Sequence, residues 1–311
     1  MQYGFGVDLG GTTVKIACFD REGNLLSKWE IPTRTQQGGQ QILPDIAASV
    51  LSFLQEQNIP REQILGVGIG VPGAVEHGGV VNRCINLGWG RFNLCEELSR
   101  LTGFPVAAGN DATVAALGEC WAGIGRGCRN MVLVTLGTGI GGGIVVNGKV
   151  LHGVHGAGGE IGHITLNPQE SEVCNCGKRG CAEQYCSATG IVRLTKKHLA
   201  SGDLTSVLRC KKDFTCKDVF DAAAEGDIPA TQVLEQVYAY LGELLADVCC
   251  VLDPEMVVLG GGVSKAGQPL LEGVQRYFEH FCFHACRDTR ITLATLGNDA
   301  GVYGAFKLLL D

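Results

Sequence analysis

The sequence predicts an α/β protein with mixed sheets, and three observations support that class. Strand-like and helix-like hydrophobic patterns alternate along the chain, which is typical of α/β architecture. Two of the strand patterns are hairpins, and a hairpin adds antiparallel neighbours to an otherwise parallel sheet. The chain has 311 residues. Because a single hydrophobic core stops growing near ~250–300 residues, that length suits two lobes.

A hairpin opens the chain, and a similar one recurs later. Residues 3–26, YGFGVDLGGTTVKIACFDREGNLL, form two apolar strands around a glycine turn, with a second turn in the DREGN segment. Residues 131–151, MVLVTLGTGIGGGIVVNGKVL, repeat this arrangement and close on an Asn-Gly turn. Aligning the two hairpin sequences places Gly10 on Gly137. The repeat predicts two related halves.

The remaining elements follow from apolar spacing. In residues 44–57, Ile46, Val50 and Leu54 recur at every fourth position, which predicts a helix. A long helix is predicted over 230–251, where apolar residues again mark one face. The other predicted elements are strands at 65–71 and 256–259 and helices at 112–121 and about 299–310.

Two glycine stretches match the pattern G-x-G-x-x-G, at residues 68–73 and 137–142. A dinucleotide site needs a strand before this pattern and a helix that opens on its last glycine. Gly142 instead leads into a strand and Gly73 follows Pro72. With 46 glycines in the chain, chance matches are expected. We therefore predict no dinucleotide site, and the P-loop pattern is absent from the sequence.

The two hairpin turns have the composition of a polyphosphate site. Glycine turns let backbone N–H groups approach phosphate oxygens, threonine hydroxyls add donors, and an aspartate can hold phosphate-bound Mg²⁺ through water. Either turn alone is equally well explained as a tight β-turn, but their pairing favours phosphate binding. The residues concerned are Asp8, Gly10, Gly11, Thr12 and Lys15 in the first turn and Gly137, Thr138 and Gly139 in the second.

Charge and hydropathy exclude several partners. The formal net charge of -7 argues against a nucleic-acid or anionic-membrane surface, because either partner needs a basic patch. No apolar run reaches the ~18 residues of a membrane span. The first residues lack the basic region and long apolar stretch of a signal peptide. We expect a cytoplasmic protein.

The 15 cysteines fit reduced thiols better than a disulfide framework, because their number is odd and they are spread along a long chain. Most are predicted to be small buried hydrophobes, among them Cys18, Cys186, Cys249 and Cys250.

Residues 162–184, GHITLNPQESEVCNCGKRGCAEQ, concentrate three cysteines and a histidine. Three sulfur ligands and one nitrogen ligand form a common structural zinc set, and Gly177 and Gly180 permit the sharp turns that would aim the thiolates at one point. The C-x-C-x-x-x-x-C spacing differs from common zinc knuckles, so free thiols remain an alternative. A disulfide is disfavoured in a reducing compartment, and cysteines two residues apart bridge poorly.

Six motifs spread over nearly the whole chain resemble the ROK family of sugar kinases and repressors, and within it the bacterial glucokinases most. They are DLGGTTVK (8–15), VTLGTGIGGG (134–143), HGAGGEIGH (155–163), CNCGKRGCAE (174–183), LGGG (259–262) and GNDAG (297–301). The resemblance implies an actin-like ATPase (ribonuclease H-like) fold, in which two lobes surround a cleft for ATP and sugar. We expect a small lobe from residues 1–112 and 300–311 and a large lobe from 113–299 that carries the zinc loop.

The resemblance also assigns sugar-site residues. Asp111 falls on the catalytic base and Asn110 on a hydroxyl-binding amide, although the local sequence by itself indicates a helix N-cap pair. Glu160, His163 and Glu183 fall on further sugar contacts, where carboxylates accept from vicinal hydroxyls and an imidazole N–H donates. The other implied contacts are Gly73 with the sugar, Gly261 and Gly262 with the nucleoside, and His163, Cys174, Cys176 and Cys181 with structural zinc.

The expected activity is ATP-dependent phosphorylation of glucose to glucose 6-phosphate at the entry to glycolysis, with ATP, Mg²⁺ and structural Zn²⁺ bound and a dimer or tetramer as the assembly. A kinase for N-acetylmannosamine, mannose, fructose or allose is the alternative within the class. A sugar-sensing regulator without catalysis is the alternative outside it, and the intact Asp111 and both phosphate turns speak against that. Repressors of the family carry a helix-turn-helix before the first phosphate turn, and we expect none here because that turn begins at residue 8.

Overall fold

The computed structural model describes residues 1–76, 78–82, 84–202 and 204–310. Its strands are β1 (Tyr3–Leu9), β2 (Thr13–Asp20), β3 (Leu25–Pro32), β4 (Ile64–Val71), β5 (Val75–Glu76), β6 (Val80–Val81), β7 (Phe92–Asn93), β8 (Val106–Asn110), β9 (Met131–Leu136), β10 (Ile140–Val146), β11 (Lys149–Val150), β12 (Met256–Gly260) and β13 (Arg290–Leu293). Its helices are α1 (Gln36–Gly39), α2 (Ile42–Glu56), α3 (Leu94–Thr102), α4 (Asp111–Ala122), α5 (Glu183–Cys186), α6 (Ala188–Ser201), α7 (Cys216–Ala224), α8 (Ile228–Leu252), α9 (Gln268–Phe281) and α10 (Ala300–Lys307). All the strands and helices expected from the sequence are confirmed, with ends shifted by a few residues.

The chain divides into two compact units. The first contains Met1–Arg129, Gly143–Gly159 and Thr295–Asp311, and the second contains Asn130–Gly142 and Glu160–Ala294. Helix α4 lies in the first unit, whereas the expected large lobe begins within that helix. The expected lobe boundaries stay a prediction.

The first five-stranded sheet has the order β3-β2-β1-β4-β8. Strand β2 is antiparallel to β1 and β3, while β4 is parallel to β1 and β8, so the sheet is mixed as predicted. Asp8 pairs with Gly70, and Gly70 pairs with Gly109. The carboxyl ends of three parallel strands therefore meet at one edge, which is where open α/β sheets commonly bind ligands.

The second five-stranded sheet has the order β11-β10-β9-β12-β13. Strand β12 is parallel to β9 and β13, and β10 is antiparallel to β11, so this sheet is also mixed. In both sheets, three strands connected by short turns lie beside two strands reached by crossovers. This shared order confirms the prediction of two related halves. A small antiparallel sheet, β5-β6-β7, completes the first unit.

Helix α10 packs against α4 with almost no space between the two backbones. A Cβ on Gly304 would come 1.7 Å from Val114 O, and a Cβ on Gly118 would come 2.1 Å from Ala300 O. No side chain fits at such distances, so glycine is required at both positions. The tight crossing fixes α4, whose first residue is Asp111, within the first unit.

Helix α8 is the central helix of the second unit. Its N-cap, Asp227, accepts a hydrogen bond from Ala230 N (3.0 Å), and the helix ends at Asp253 in the left-handed conformation. Cys249 is buried as predicted, but Cys250 is exposed, because successive helical residues point about 100° apart and Cys250 falls on the outer face. In the described part of the chain, no helix combines the length and apolar character needed to cross a bilayer.

Candidate functional site

Asp8 and Lys15 form a half-buried ion pair in the first unit. They lie opposite each other in the β1–β2 register, with Lys15 Nζ 3.6 Å from Asp8 Oδ2. Lys15 Nζ also donates to Asn298 O at 3.1 Å. Burial raises the pKa of Asp8 even though Lys15 acts to lower it. A bound cation beside Asp8 would favour its charged form, which is the chemistry expected of a Mg²⁺-associated carboxylate.

The glycine turn after Asp8 is stabilised by hydrogen bonds to two of its backbone carbonyl groups. Gly10 N donates to Thr13 O at 3.0 Å, and Thr33 Oγ1 donates to Gly10 O at 2.7 Å. Gly11 is exposed, and no neighbouring atom lies within 4 Å of the point where a Cβ would stand. The turn therefore has open space above it, as a phosphate-binding turn requires.

Asn110 is the N-cap of α4. Its Oδ1 accepts from Ala112 N (3.0 Å) and Thr113 N (3.2 Å), which confirms the capping role that the local sequence indicated for it. Its Nδ2 donates to Gly73 O at 3.0 Å, and Gly73 has a positive φ of 105°. Because an amide nitrogen carries two hydrogens, capping is compatible with a further contact to a ligand hydroxyl.

Asp111 is the first residue of α4 and is exposed. Its Oδ1 accepts from Ala112 N at 2.8 Å, which orients the carboxylate. The structure thus places Asp8, Asn110 and Asp111 at or just beyond the carboxyl ends of β1 and β8.

The four predicted zinc ligands of the second unit converge. The ligand atoms of His163, Cys174, Cys176 and Cys181 all lie within 4.8 Å of one another. Cys176 Sγ is 3.6 Å from Cys181 Sγ, and Cys174 Sγ is 3.9 Å from His163 Nδ1. Tetrahedral zinc, with bonds of ~2.3 Å to sulfur and ~2.0 Å to nitrogen, separates its ligand atoms by roughly 3.5–3.8 Å. These residues therefore fit a zinc ion.

Two glycines shape the cysteine loop. Gly177 (φ 88°) closes a turn in which its N–H donates to Cys174 O at 2.8 Å. Gly180 (φ 72°) lies against Asn167, where a Cβ would come 1.8 Å from the carbonyl oxygen. The sharp turns expected at these two glycines are confirmed.

The three predicted sugar contacts of the second unit include or adjoin the predicted zinc ligands. His163 Nδ1 is 3.8 Å from Glu183 Oε1, and His163 Nε2 is 3.8 Å from Glu160 Oε2. Glu183 Oε1 is also 3.1 Å from Cys174 Sγ. The imidazole therefore presents one nitrogen to the sulfur cluster and the other to the more exposed Glu160.

A buried ion-pair network connects the cysteine loop to α6. Arg193 donates to Glu170 Oε2 (3.0 Å) and to Gln184 O (2.9 Å), and the Tyr185 hydroxyl donates to Glu170 Oε2 at 2.9 Å. Burial alone would raise the pKa of Glu170, but the bonds from Arg193, from Glu172 N and from Tyr185 outweigh it and lower that pKa to about 2. No local sequence motif marks this network, so it was not predicted.

The second glycine turn packs against the start of α6. Ala188 N donates to Gly137 O at 2.8 Å, and Thr189 Oγ1 donates to Thr138 O at 2.6 Å. A Cβ on Gly139 would come 2.7 Å from Glu183 Oε2. Thr189 was not among the predicted site residues, because its relation to the turn depends on a fold contact rather than on a motif.

Gly261 and Gly262 follow β12 at the edge of a cavity of about 720 Å³. Gly261 has φ 84°, and a Cβ there would come 2.6 Å from Leu136 O. The cavity lies wholly within the second unit, and its walls are mostly apolar with a few polar groups, as is typical of ligand pockets. Its lining includes Thr215, Phe220, Leu234, Tyr238, Gly262 and Lys265. Among these residues, only Gly262 was predicted from the sequence.

The family model of the ROK family matches residues 4–311. The chain belongs to the ROK family. Among its relatives in the family, a glucokinase of Halalkalibacterium halodurans is 45% identical over 305 residues, which cover 96% of this chain and 92% of that protein.

Two solved ROK structures resemble the chain closely. One is the crystal structure of a ROK family glucokinase from Streptomyces griseus in complex with glucose and AMPPNP, with 31% identity, a TM-score of 0.77 and 98% of each chain covered. The other is a ROK hexokinase from Thermus thermophilus, with 31% identity and a TM-score of 0.82, covering 99% of this chain and 98% of that one. The comparisons confirm the resemblance drawn from the sequence and the predicted actin-like ATPase fold of the ROK family.

Proposed function

We propose that the chain is an ATP-dependent hexose kinase that converts glucose and ATP to glucose 6-phosphate and ADP. The observation that carries this proposal is the 45% identity to a glucokinase over 96% of the chain. The solved ROK glucokinase with glucose and AMPPNP supports it.

Asp111 acts as the general base. As the sugar 6-hydroxyl attacks the γ-phosphorus, the oxygen–phosphorus bond forms, the bond to the ADP oxygen breaks, and the hydroxyl proton passes to Asp111. The exposure of Asp111 and the bond from Ala112 N that orients it support this role. Asn110 and the Gly73 backbone also contact the sugar. The hydrogen bond between them keeps the two groups side by side.

The two glycine turns bind the ATP phosphates. In the first unit these are Gly10, Gly11 and Thr12, with Asp8 and Lys15 beside them. In the second they are Gly137, Thr138 and Gly139. Mg²⁺ bound with ATP supplies neutralisation of phosphate charge. The cavity next to Gly261 and Gly262 receives the nucleoside, and its volume and apolar walls support that assignment.

Glu160, His163 and Glu183 recognise the remaining sugar hydroxyls. Two carboxylates can accept from adjacent hydroxyls, and an imidazole N–H can donate to a third oxygen. Their mutual distances of 3.8 Å support a joint role.

A structural zinc would be held by His163 Nδ1 and the sulfurs of Cys174, Cys176 and Cys181. When bound, it supplies folding energy and fixes the imidazole tautomer. The second nitrogen of His163, Nε2, would then carry the proton that points toward Glu160 and the sugar. We place the reaction in the cytoplasm and expect a dimer or tetramer.

A coupled assay with purified protein tests the function. Glucose, N-acetylmannosamine, mannose, fructose and allose are each offered with ATP, ADP, GTP and polyphosphate. The highest kcat/KM is expected for glucose with ATP. A higher kcat/KM for another sugar would correct the substrate, and absence of turnover with every pair would leave the chain as a sugar-binding regulator.

A further inference from the structure

Glu119, in the last turn of α4, is fully buried yet carries a carboxyl group. Its Oε1 accepts from Leu296 N at 2.7 Å. Its Oε2 accepts from Ile124 N at 3.2 Å and from Thr295 Oγ1 at 3.3 Å. One side chain thus joins the loop after α4 to the segment that leads into α10.

The location is unfavourable for a carboxylate. The last turn of a helix carries partial negative charge, and burial removes the solvation of a charged group. The partners of Glu119 in the described part of the chain are neutral N–H and O–H donors. The following loop also makes room for it, because a Cβ on Gly123 would come 2.0 Å from Glu119 Oε2. Among the described residues, two of its three side-chain hydrogen bonds come from Thr295 and Leu296, which points to a role in holding residues 295–296.

The segment that Glu119 holds contacts the Asp8 and Lys15 pair. Lys15 Nζ donates to Asn298 O at 3.1 Å, three residues after Thr295. Gly301 then lies against Asp8, where a Cβ would come 2.6 Å from Asp8 Cγ. A shift of residues 295–299 would therefore move Asn298 O, which accepts from Lys15, together with Gly301, which packs against Asp8.

We propose that Glu119 is a positioning residue for the phosphate end of ATP. It fixes residues 295–299 so that Asp8 and Lys15 keep the arrangement in which they meet Mg·ATP. The proposal rests on the proposed function, in which Asp8 and Lys15 face the nucleotide. Because α4 begins at Asp111, the same helix carries the base at one end and this anchor at the other.

The test is direct binding of Mg·AMPPNP and of glucose by calorimetry to the full chain and to Glu119→Gln. Glutamine keeps the volume but turns an NH₂ group toward backbone N–H donors, so the segment loses an acceptor. We expect the Kd for Mg·AMPPNP to rise about tenfold, as for loss of one hydrogen bond to a charged acceptor, with the Kd for glucose within about twofold of wild type. Glu97→Gln is the control: this carboxyl of α3 is partly exposed and pairs with Arg100 in the same unit, and the variant should bind both ligands as wild type does.

Equal weakening of both ligands by Glu119→Gln, or no weakening of the nucleotide, would overturn the proposal. If Glu119→Gln does not melt cooperatively, Thr295→Val replaces it in the test, because this variant deletes only one hydroxyl donor. We expect its Kd for Mg·AMPPNP to rise two- to threefold, with the Kd for glucose unchanged. Wild-type affinity for Mg·AMPPNP in Thr295→Val would then overturn it. Since binding is measured without turnover, a wild-type chain that binds Mg·AMPPNP but phosphorylates no sugar contradicts the proposed function and leaves this test intact.

Discussion

The carboxylate of Glu183 occupies the space that a side chain on Gly139 would need: a Cβ there would come 2.7 Å from Glu183 Oε2. The same carboxylate lies 3.1 Å from Cys174 Sγ and 3.8 Å from His163 Nδ1. A proposed sugar contact, a proposed phosphate turn and the proposed zinc ligands therefore meet at one side chain of the second unit.

Gly139→Ala tests this contact. The new methyl group displaces the end of a flexible side chain rather than backbone, so we expect the melting temperature to change little while Glu183 leaves its place. The KM for glucose should rise about tenfold, because small displacements of substrate-positioning groups have large kinetic effects. Gly202→Ala, where a Cβ meets only His198 O at 3.5 Å, is the matched control. Unchanged glucose kinetics in Gly139→Ala would show that Glu183 does not bind the sugar.

Asp111→Asn tests the base. Asparagine preserves the size of the side chain and its bond with Ala112 N but cannot take the hydroxyl proton. We expect kcat to fall by roughly 10²–10⁴-fold, with the KM for glucose nearly unchanged. Asp213→Asn, an exposed aspartate of the second unit outside the site, controls for loss of surface charge. Retention of most of the turnover by Asp111→Asn would contradict the assignment.

Cys176→Ser tests the proposed zinc site. Metal analysis should find about one zinc ion per chain in the wild type and a clear loss in the variant. Because His163 belongs to both the cluster and the proposed sugar contacts, the KM for glucose should rise more than the KM for ATP. Cys210→Ser is the control, since Cys210 is also an exposed thiol of the second unit. Equal losses for both substrates would confine zinc to a folding role.

Glu170→Gln tests the network between the cysteine loop and α6 through the pH dependence of stability. The pKa of Glu170 lies at about 2 in the folded protein, below its ordinary value near 4.5. The stabilisation is therefore complete above pH ~4.5 and is lost as the pH falls toward 2. We expect the variant to lose about 3 kcal/mol of unfolding free energy at pH 6 and almost nothing relative to wild type near pH 2, measured by urea denaturation.

Glu172→Gln is the matched variant for that experiment. Glu172 shares Arg193 and Lys197 with Glu170 but is about half exposed. Water screens its ion pairs, so the loss should stay below about 1 kcal/mol. A pH-independent difference between Glu170→Gln and wild type would rule out the charged network as its source.

The parts of the fold that depend on neighbouring residues were predictable from the sequence. Apolar spacing located α2 and α8, and glycine turns located both hairpins, because these signals repeat within a few residues. The convergence of His163 with the three cysteines was predictable because all four fall within one short stretch.

The contacts between residues far apart in the sequence were not predictable. Glu119 and Leu296 are 177 positions apart, and no local pattern links them. The walls of the cavity proposed for the nucleoside come from α7, α8 and the turn after β12, whose packing only the fold defines. Cys250 was wrongly predicted to be buried for a related reason: its apolar neighbours in the sequence did not reveal which face of α8 it occupies.

The crossing of α4 and α10 has a consequence for how this protein tolerates variation. Gly304 is not one of the proposed site residues, yet every other amino acid at that position must push α10 away from Val114 O. Helix α4 begins at Asp111, and the start of α10 abuts Asp8, so the displacement separates the proposed base from the proposed cation ligand. In a saturation mutational scan scored by sugar phosphorylation, Gly304 should therefore be as intolerant as an active-site residue.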